Sequence, residues 1–149
     1  MATHQQDEVA ANLQKQLIFY QQQDPFCRFY GVRIVALQLG YAVAEVTVSE
    51  QNKNFMGALH GGFLCALADL TAGKAALSYG VSCVTSNLTI NYLKGCPSGL
   101  VRAMAKEIRR GKHLAVYQVD IYDETQALLA TAVSTLYITG QPLSFMTTE

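Results

Sequence analysis

Residues 54–80 read NFMGALHGGFLCALADLTAGKAALSYG, and the change of character inside that stretch decides the fold. Asn54 to Leu59 is a loop that leads to a glycine pair, Gly61 and Gly62. From Gly61 to Tyr79 leucine, alanine and cysteine run without proline, and Gly80 follows the last apolar turn, which predicts a long helix stopping there. The helix is apolar nearly all round, so it is expected to be buried with sheet wrapped about it.

Outward from this helix the period changes. Val32 to Val48 is rich in valine and alternates, with Gly40 as the turn between two strands. Val84 to Leu93, Leu100 to Arg110, His113 to Tyr122 and Ala127 to Ile138 follow with period-two character. Turns separate them at residues 95–99, 111–112 and 123–126. Near the start, Val9, Leu13, Leu17 and Tyr20 share one helical face, which predicts an amphipathic helix within residues 1–24 that docks on the body and stops at Asp24-Pro25. The expected architecture is α+β, one antiparallel sheet around one helix, in a domain over residues 25–140 with a tail at 141–149.

The chain has 149 residues, half of them apolar, with eleven basic and eleven acidic side chains. That length suits one domain burying roughly 70% of the surface its unfolded chain exposes. Zero net charge removes the field that would gather nucleic acid or anionic lipid, so neither is an expected partner. Asp69 and Lys74 sit inside the longest weakly polar stretch, each costing about 2.5–3.5 kcal/mol at a bilayer centre, so no membrane span is expected. No cationic run precedes an apolar block near Met1, and a cytoplasmic protein is expected. Cys27, Cys65, Cys83 and Cys96 lack metal-ligand spacing, so they read as packing residues and no metal is expected.

Two features of the helix carry chemistry. Its first-turn amides have no intrahelical partners, and together with the positive end of the helix dipole they can polarise a carbonyl. On the helix, Gly62, Ala66, Asp69, Gly73 and Ala76 form a stripe that is small throughout except for one carboxylate. A carboxylate there needs a partner or a task, and Lys74, five residues on, points elsewhere.

Asn54, Gly57, His60-Gly61-Gly62 and Leu67-Ala68-Asp69 resemble the signature of hotdog-fold acyl-CoA thioesterases, in particular the PaaI-like group related to phenylacetyl-CoA and 4-hydroxybenzoyl-CoA thioesterases. The similarity covers residues 25–138, with Pro25-Phe26, Gly31, the strand Val84 to Leu93, the Arg110-Gly111-Lys112 hairpin and the closing strand. It implies a hotdog fold and hydrolysis of a thioester without metal or redox cofactor. By position it makes the Gly61 N–H the group that polarises the carbonyl and Asp69 the nucleophile or general base. Asn54 would place the water or the carboxylate. Thr85 falls where a hydroxyl sits near the attacking water, and equally reads as one of several polar positions on its strand. His60 would fix the loop or lie beside the thioester.

Arg109, Arg110, Lys112 and His113 crowd one hairpin, with Arg102 and Lys106 on the strand feeding it. The phosphates of coenzyme A need such a cluster, and a solvated hairpin would look the same. With Gly62 beside the carbonyl, Phe55, Met56, Phe63 and Tyr79 are candidates to line an acyl pocket. A non-catalytic acyl-CoA-binding hotdog protein and a hotdog dehydratase or hydratase are the competing readings. Gly61 and Asp69 are about 12 Å apart along one helix, so a site using both needs a second copy of the helix. A homodimer is therefore expected. The family's habit of pairing such dimers points further, to a homotetramer.

Overall fold

The computed structural model describes residues 2–147. In chain order it contains α1 (Ala2–Gln23), α2 (Pro25–Tyr30), β1 (Arg33–Gln38), β2 (Tyr41–Thr47), α3 (Gly61–Leu77), β3 (Val81–Tyr92), β4 (Leu100–Arg110), β5 (Leu114–Asp123), β6 (Leu128–Pro142) and α4 (Ser144–Thr147). The six strands form one sheet in the order β1-β2-β4-β5-β6-β3, antiparallel throughout. Among the described residues, no helix is long and apolar enough to cross a membrane.

The long helix α3 packs across one face of this sheet. Its inner side is rich in alanine: Ala68, Ala72, Ala75 and Ala76 are fully buried, and Ala103, Ala105 and Ala115 face them from β4 and β5. Small residues on both surfaces let helix and sheet approach closely, while Leu67 fills the space between them. Burying such a leucine contributes about 1.5–3 kcal/mol.

Three expectations about α3 change here. The helix is not covered all round, because Cys65, Ala66, Asp69, Leu70 and Gly73 are only half-buried and Gly62 is exposed. Ala76 is not on that open stripe but in the core. The helix also ends at Leu77 rather than Tyr79, because the Ser78 hydroxyl donates to the Ala75 carbonyl and accepts from Gly40 N–H. The same serine thus ties the tight β1–β2 turn to the end of the helix. Gly40 itself has a φ of 71°, and a Cβ there would strike Glu107.

The N-terminal helix docks through polar groups as well as apolar ones. Leu13 and Leu17 pack on the core, whereas the fully buried Gln16 donates to the Ser78 carbonyl at 3.3 Å and accepts from the Tyr20 hydroxyl at 3.1 Å. Asp24-Pro25 ends α1 and at once begins α2, an element not expected from the sequence. Asp24 is the N-cap, accepting from Cys27 N–H at 3.1 Å, and proline occupies the first turn. The other Asp24 oxygen pairs with Lys74, whose ammonium lies 4.0 Å over the Tyr20 ring. At the far end β6 continues to Pro142 and α4 stacks Phe145 on Phe19, with centroids 3.8 Å apart. Between β6 and α4, Leu143 is buried.

Burial pushes the Asp24 carboxyl up, but hydrogen bonds from Lys74 and Cys27 N–H, with the Lys74 charge, outweigh it and leave its pKa below the ordinary 3.8. A lowered folded-state pKa stabilises the fold above the unfolded value and loses that effect as pH falls through the folded one. Wild-type protein should therefore lose thermal midpoint below about pH 4 more steeply than Asp24→Asn, which keeps the cap but lacks the charge. Parallel midpoint-versus-pH curves for the two proteins would contradict this role.

Candidate active site

The loop before α3 is held by its own polar groups. Asn52 is buried, accepts from Ser49 N–H, donates to the Thr47 carbonyl, and offers its own carbonyl to His60 N–H at 2.8 Å. Asn54 Oδ1 accepts from Met56 N–H and Ala58 N–H at 3.0 and 3.1 Å, closing a tight turn around Gly57, whose φ is 84°. Asn54 therefore shapes the loop with its oxygen. Phe55 and Met56 stand at the loop tip, 97% and 74% exposed.

His60 is the N-cap of α3. Its Nδ1 accepts from Gly62 N–H at 2.8 Å, which places the proton of the neutral ring on Nε2. Of the glycine pair, then, one amide is taken and the other is not: among the described residues Gly61 N–H has no partner. On the Gly61 carbonyl, Tyr92 of β3 places its hydroxyl, donating at 2.8 Å. Sequence reasoning misses Tyr92, because it meets Gly61 across 31 positions with no local signal.

Asp69 lies two turns further on, on the open stripe of α3. Thr85, early in β3, donates its hydroxyl to Asp69 Oδ1 at 2.7 Å. The structure thus brings together two residues that the sequence named separately. Lys74 is turned away to Asp24, so it offers Asp69 no ion pair. Gly61 and Asp69 stay apart, their backbones about 12 Å from each other along the axis.

Two open grooves of about 340 Å³ flank the start of α3. One is lined by Phe26, Tyr30, Asn52, His60, Phe63 and Ala66. Its aromatic wall is a cluster in which Phe63 lies 6.0 Å from Phe26 and 4.9 Å from Tyr30 between ring centroids. The other is lined by Leu59, Gly61, Leu64, Tyr92, Leu93 and Lys94. Of the candidate substrate-binding residues, Gly62 and Phe63 line the first groove, whereas Phe55 and Met56 project from the loop tip. Tyr79 is at the far end of α3 under the Arg110 guanidinium, 4.1 Å from its ring centroid.

Arg110 is occupied there. Its Nη1 donates to the Ala76 carbonyl at 3.1 Å, beside a Tyr117 hydroxyl that donates to Glu107 at 2.7 Å. A cation at the carbonyl end of α3 complements the helix dipole, so the guanidinium serves the fold. Arg102 is likewise engaged, by Glu45. Arg109, Lys112 and His113 are exposed, with His113 stacked parallel to Tyr137 at 6.3 Å. Ala76 is fifteen residues from Gly61, so this hairpin lies about 22 Å from the Gly61 amide of its own chain.

Residues 56–130 match the family described as the Thioesterase superfamily. The chain belongs to that family. The acyl-coenzyme A thioesterase PaaI of Escherichia coli is 32% identical to it over 108 residues, covering 72% of this chain and 77% of that one. The solved structure of E. coli PaaI superposes with a TM-score of 0.83 at 28% identity, over 89% of this chain and 96% of the other. The 1,4-dihydroxy-2-naphthoyl-CoA hydrolase of Listeria monocytogenes is 35% identical over 111 residues, 72% of this chain and 90% of that one. A thioesterase protein of Streptococcus pneumoniae, solved with coenzyme A, superposes with a TM-score of 0.72 at 28% identity, over 75% and 88% of the two chains. The fold of this thioesterase is the hotdog fold, as the resemblance implied, and the chain is a thioester hydrolase.

Proposed function

We propose that this thioesterase hydrolyses an acyl- or aryl-CoA thioester to the free acid and coenzyme A, at a site built by two copies of the chain. One observation carries the reading: α3 bears both an amide at its start that has no partner among the described residues and, on its open stripe, a carboxylate held by the Thr85 hydroxyl. The relatives' acyl-CoA chemistry, and the coenzyme A bound by the Streptococcus pneumoniae protein, favour the same substrate class.

In this mechanism Gly61 N–H donates to the thioester carbonyl oxygen and steadies the negative charge that develops there. Asp69 acts in one of two ways. As nucleophile, its oxygen bonds to the acyl carbon, the carbon–sulfur bond breaks, thiolate leaves, and water then hydrolyses the anhydride. As general base, it takes a proton from water while the water oxygen bonds to the same carbon and the thiolate departs. Thr85 orients the carboxylate. Asn54 keeps the loop closed and has its amide NH₂ to offer to water, while His60 holds Gly62 N–H and so sets the start of the helix.

Because one aspartate side chain cannot span about 12 Å, each site takes Gly61 from one chain and Asp69 from its partner, with the two helices antiparallel across the open stripe. That homodimer is the unit of the proposal. Pairing Gly61 with the partner's Asp69 puts the crossing at Cys65. The partner's basic hairpin then falls about 10 Å beyond Gly61, on the side of Phe55. Arg109, Lys112 and His113 meet the phosphates of coenzyme A there, Phe55 covers the pantetheine arm, and Gly62 leaves room for the thioester.

The direct test is a thiol-release assay on aryl, short-chain and long-chain acyl-CoA esters and acyl carrier protein thioesters. Thiol appearing in step with free acid is expected from at least one acyl-CoA, and release from none would overturn the reading. The hairpin has its own test. Arg109→Ala with Lys112→Ala should raise KM for acyl-CoA several-fold, more at low salt, while kcat on a short acyl-pantetheine stays at wild type. An unchanged KM would return these side chains to the solvated surface.

A further inference from the structure

We propose that Tyr92 is a positioning residue for hydrolysis: its hydroxyl pins the peptide beside Gly61 so that the Gly61 N–H keeps a fixed aim at the thioester carbonyl. This rests on the mechanism proposed above and adds to it a group that never touches the substrate carbonyl.

Gly61 joins two peptide groups. In the one before it, the His60 carbonyl accepts from Leu64 N–H at 3.0 Å, leaving Gly61 N–H as the free donor. In the one after it, Gly62 N–H donates to His60 Nδ1 at 2.8 Å and the Gly61 carbonyl accepts from the Tyr92 hydroxyl at 2.8 Å. A glycine followed by a second glycine has more backbone freedom than any other pair, and an amide that swings makes a poor oxyanion donor. Fixing the peptides on both sides of Gly61 removes that freedom before the substrate arrives.

The ring lies close over the glycine: a Cβ at position 61 would sit 3.4 Å from Tyr92 Cζ, in van der Waals contact with it. The bond is not needed to complete the fold. The Gly61 carbonyl already belongs to the helix ladder, one rung after that of His60, and Tyr92 is 53% exposed at the end of the edge strand β3. A surplus hydrogen bond to the peptide adjoining the reacting amide, made by a half-exposed side chain, points to positioning rather than to packing.

Tyr92→Phe keeps the ring and removes the donor. A loss of about three- to tenfold in kcat is expected, the worth of one hydrogen bond, with KM unchanged and the thermal midpoint within a few degrees of wild type. Tyr92→Ala, which also frees the space beside Gly61, should lower kcat further. A Tyr92→Phe enzyme with wild-type kcat overturns the assignment, as does a loss confined to KM or to the thermal midpoint. A wild-type enzyme that releases no thiol from any acyl-CoA overturns the mechanism together with Tyr92's part in it. An active wild type matched by Tyr92→Phe overturns Tyr92's part alone.

Discussion

Asp69→Asn should lower kcat by on the order of 100-fold or more while leaving the fold and substrate affinity near wild type. Asparagine has the shape of aspartate and keeps an oxygen to accept the Thr85 hydroxyl, so the local hydrogen bond survives. What it lacks is the carboxylate that attacks the acyl carbon or takes the proton from water. Asp69 is half-buried on an open stripe and has no ion pair among the described residues, so its neutralisation strands no buried cation. The contrast with Asp24 is instructive: removing the charge there would strand Lys74, itself buried against Tyr20. The check is thiol release by the purified variant, its identity confirmed by mass. Near wild-type turnover would remove Asp69 from the chemistry.

Much of the fold was legible because its long elements have clean periods. The strand Leu100–Arg110 coincides with its expected bounds, and α3 begins at the expected Gly61. The short elements were not legible. Six residues of α2 give too few turns for a period to show, and Pro25 reads as a stop for α1 when it is also the first turn of α2. The strands β3 and β6 outrun their expected ends because Val81 pairs with Pro142, a partnership that only the sheet supplies. The stripe expected on α3 is too long for a geometric reason. At 100° per residue Ala66 and Ala76 lie about 80° apart around the helix, and the sheet covers the Ala76 margin.

In the site, the local parts were readable and the long-range parts were not. Gly61, His60, Asn54 and Asp69 sit on one loop and one helix, so their spacing alone places them. Whether Thr85 meets Asp69 depends on how β3 crosses α3, and from its strand alone the residue was one polar position among several. Arg110 is another long-range case. Charge clustering suggested a phosphate ligand, but the side chain lies against Tyr79 and the Ala76 carbonyl, contacts that link three separate elements.

The central claim, a site shared between chains, is tested most directly by mixing two dead variants. Gly61→Pro removes the amide that polarises the carbonyl and should be as inactive as Asp69→Asn. The helix should tolerate it, since His60 has an extended ψ of 133°, position 61 opens the helix, and its N–H has no partner to lose among the described residues. The two proteins are unfolded together, refolded, and assayed for thiol release. Half of a statistical population of dimers is mixed, and each mixed dimer holds one site with Gly61 from one chain and Asp69 from the other. About a quarter of wild-type activity should therefore return. If both parents fold and exchange subunits but the mixture stays inactive, the two groups do not act across chains and the shared site is wrong.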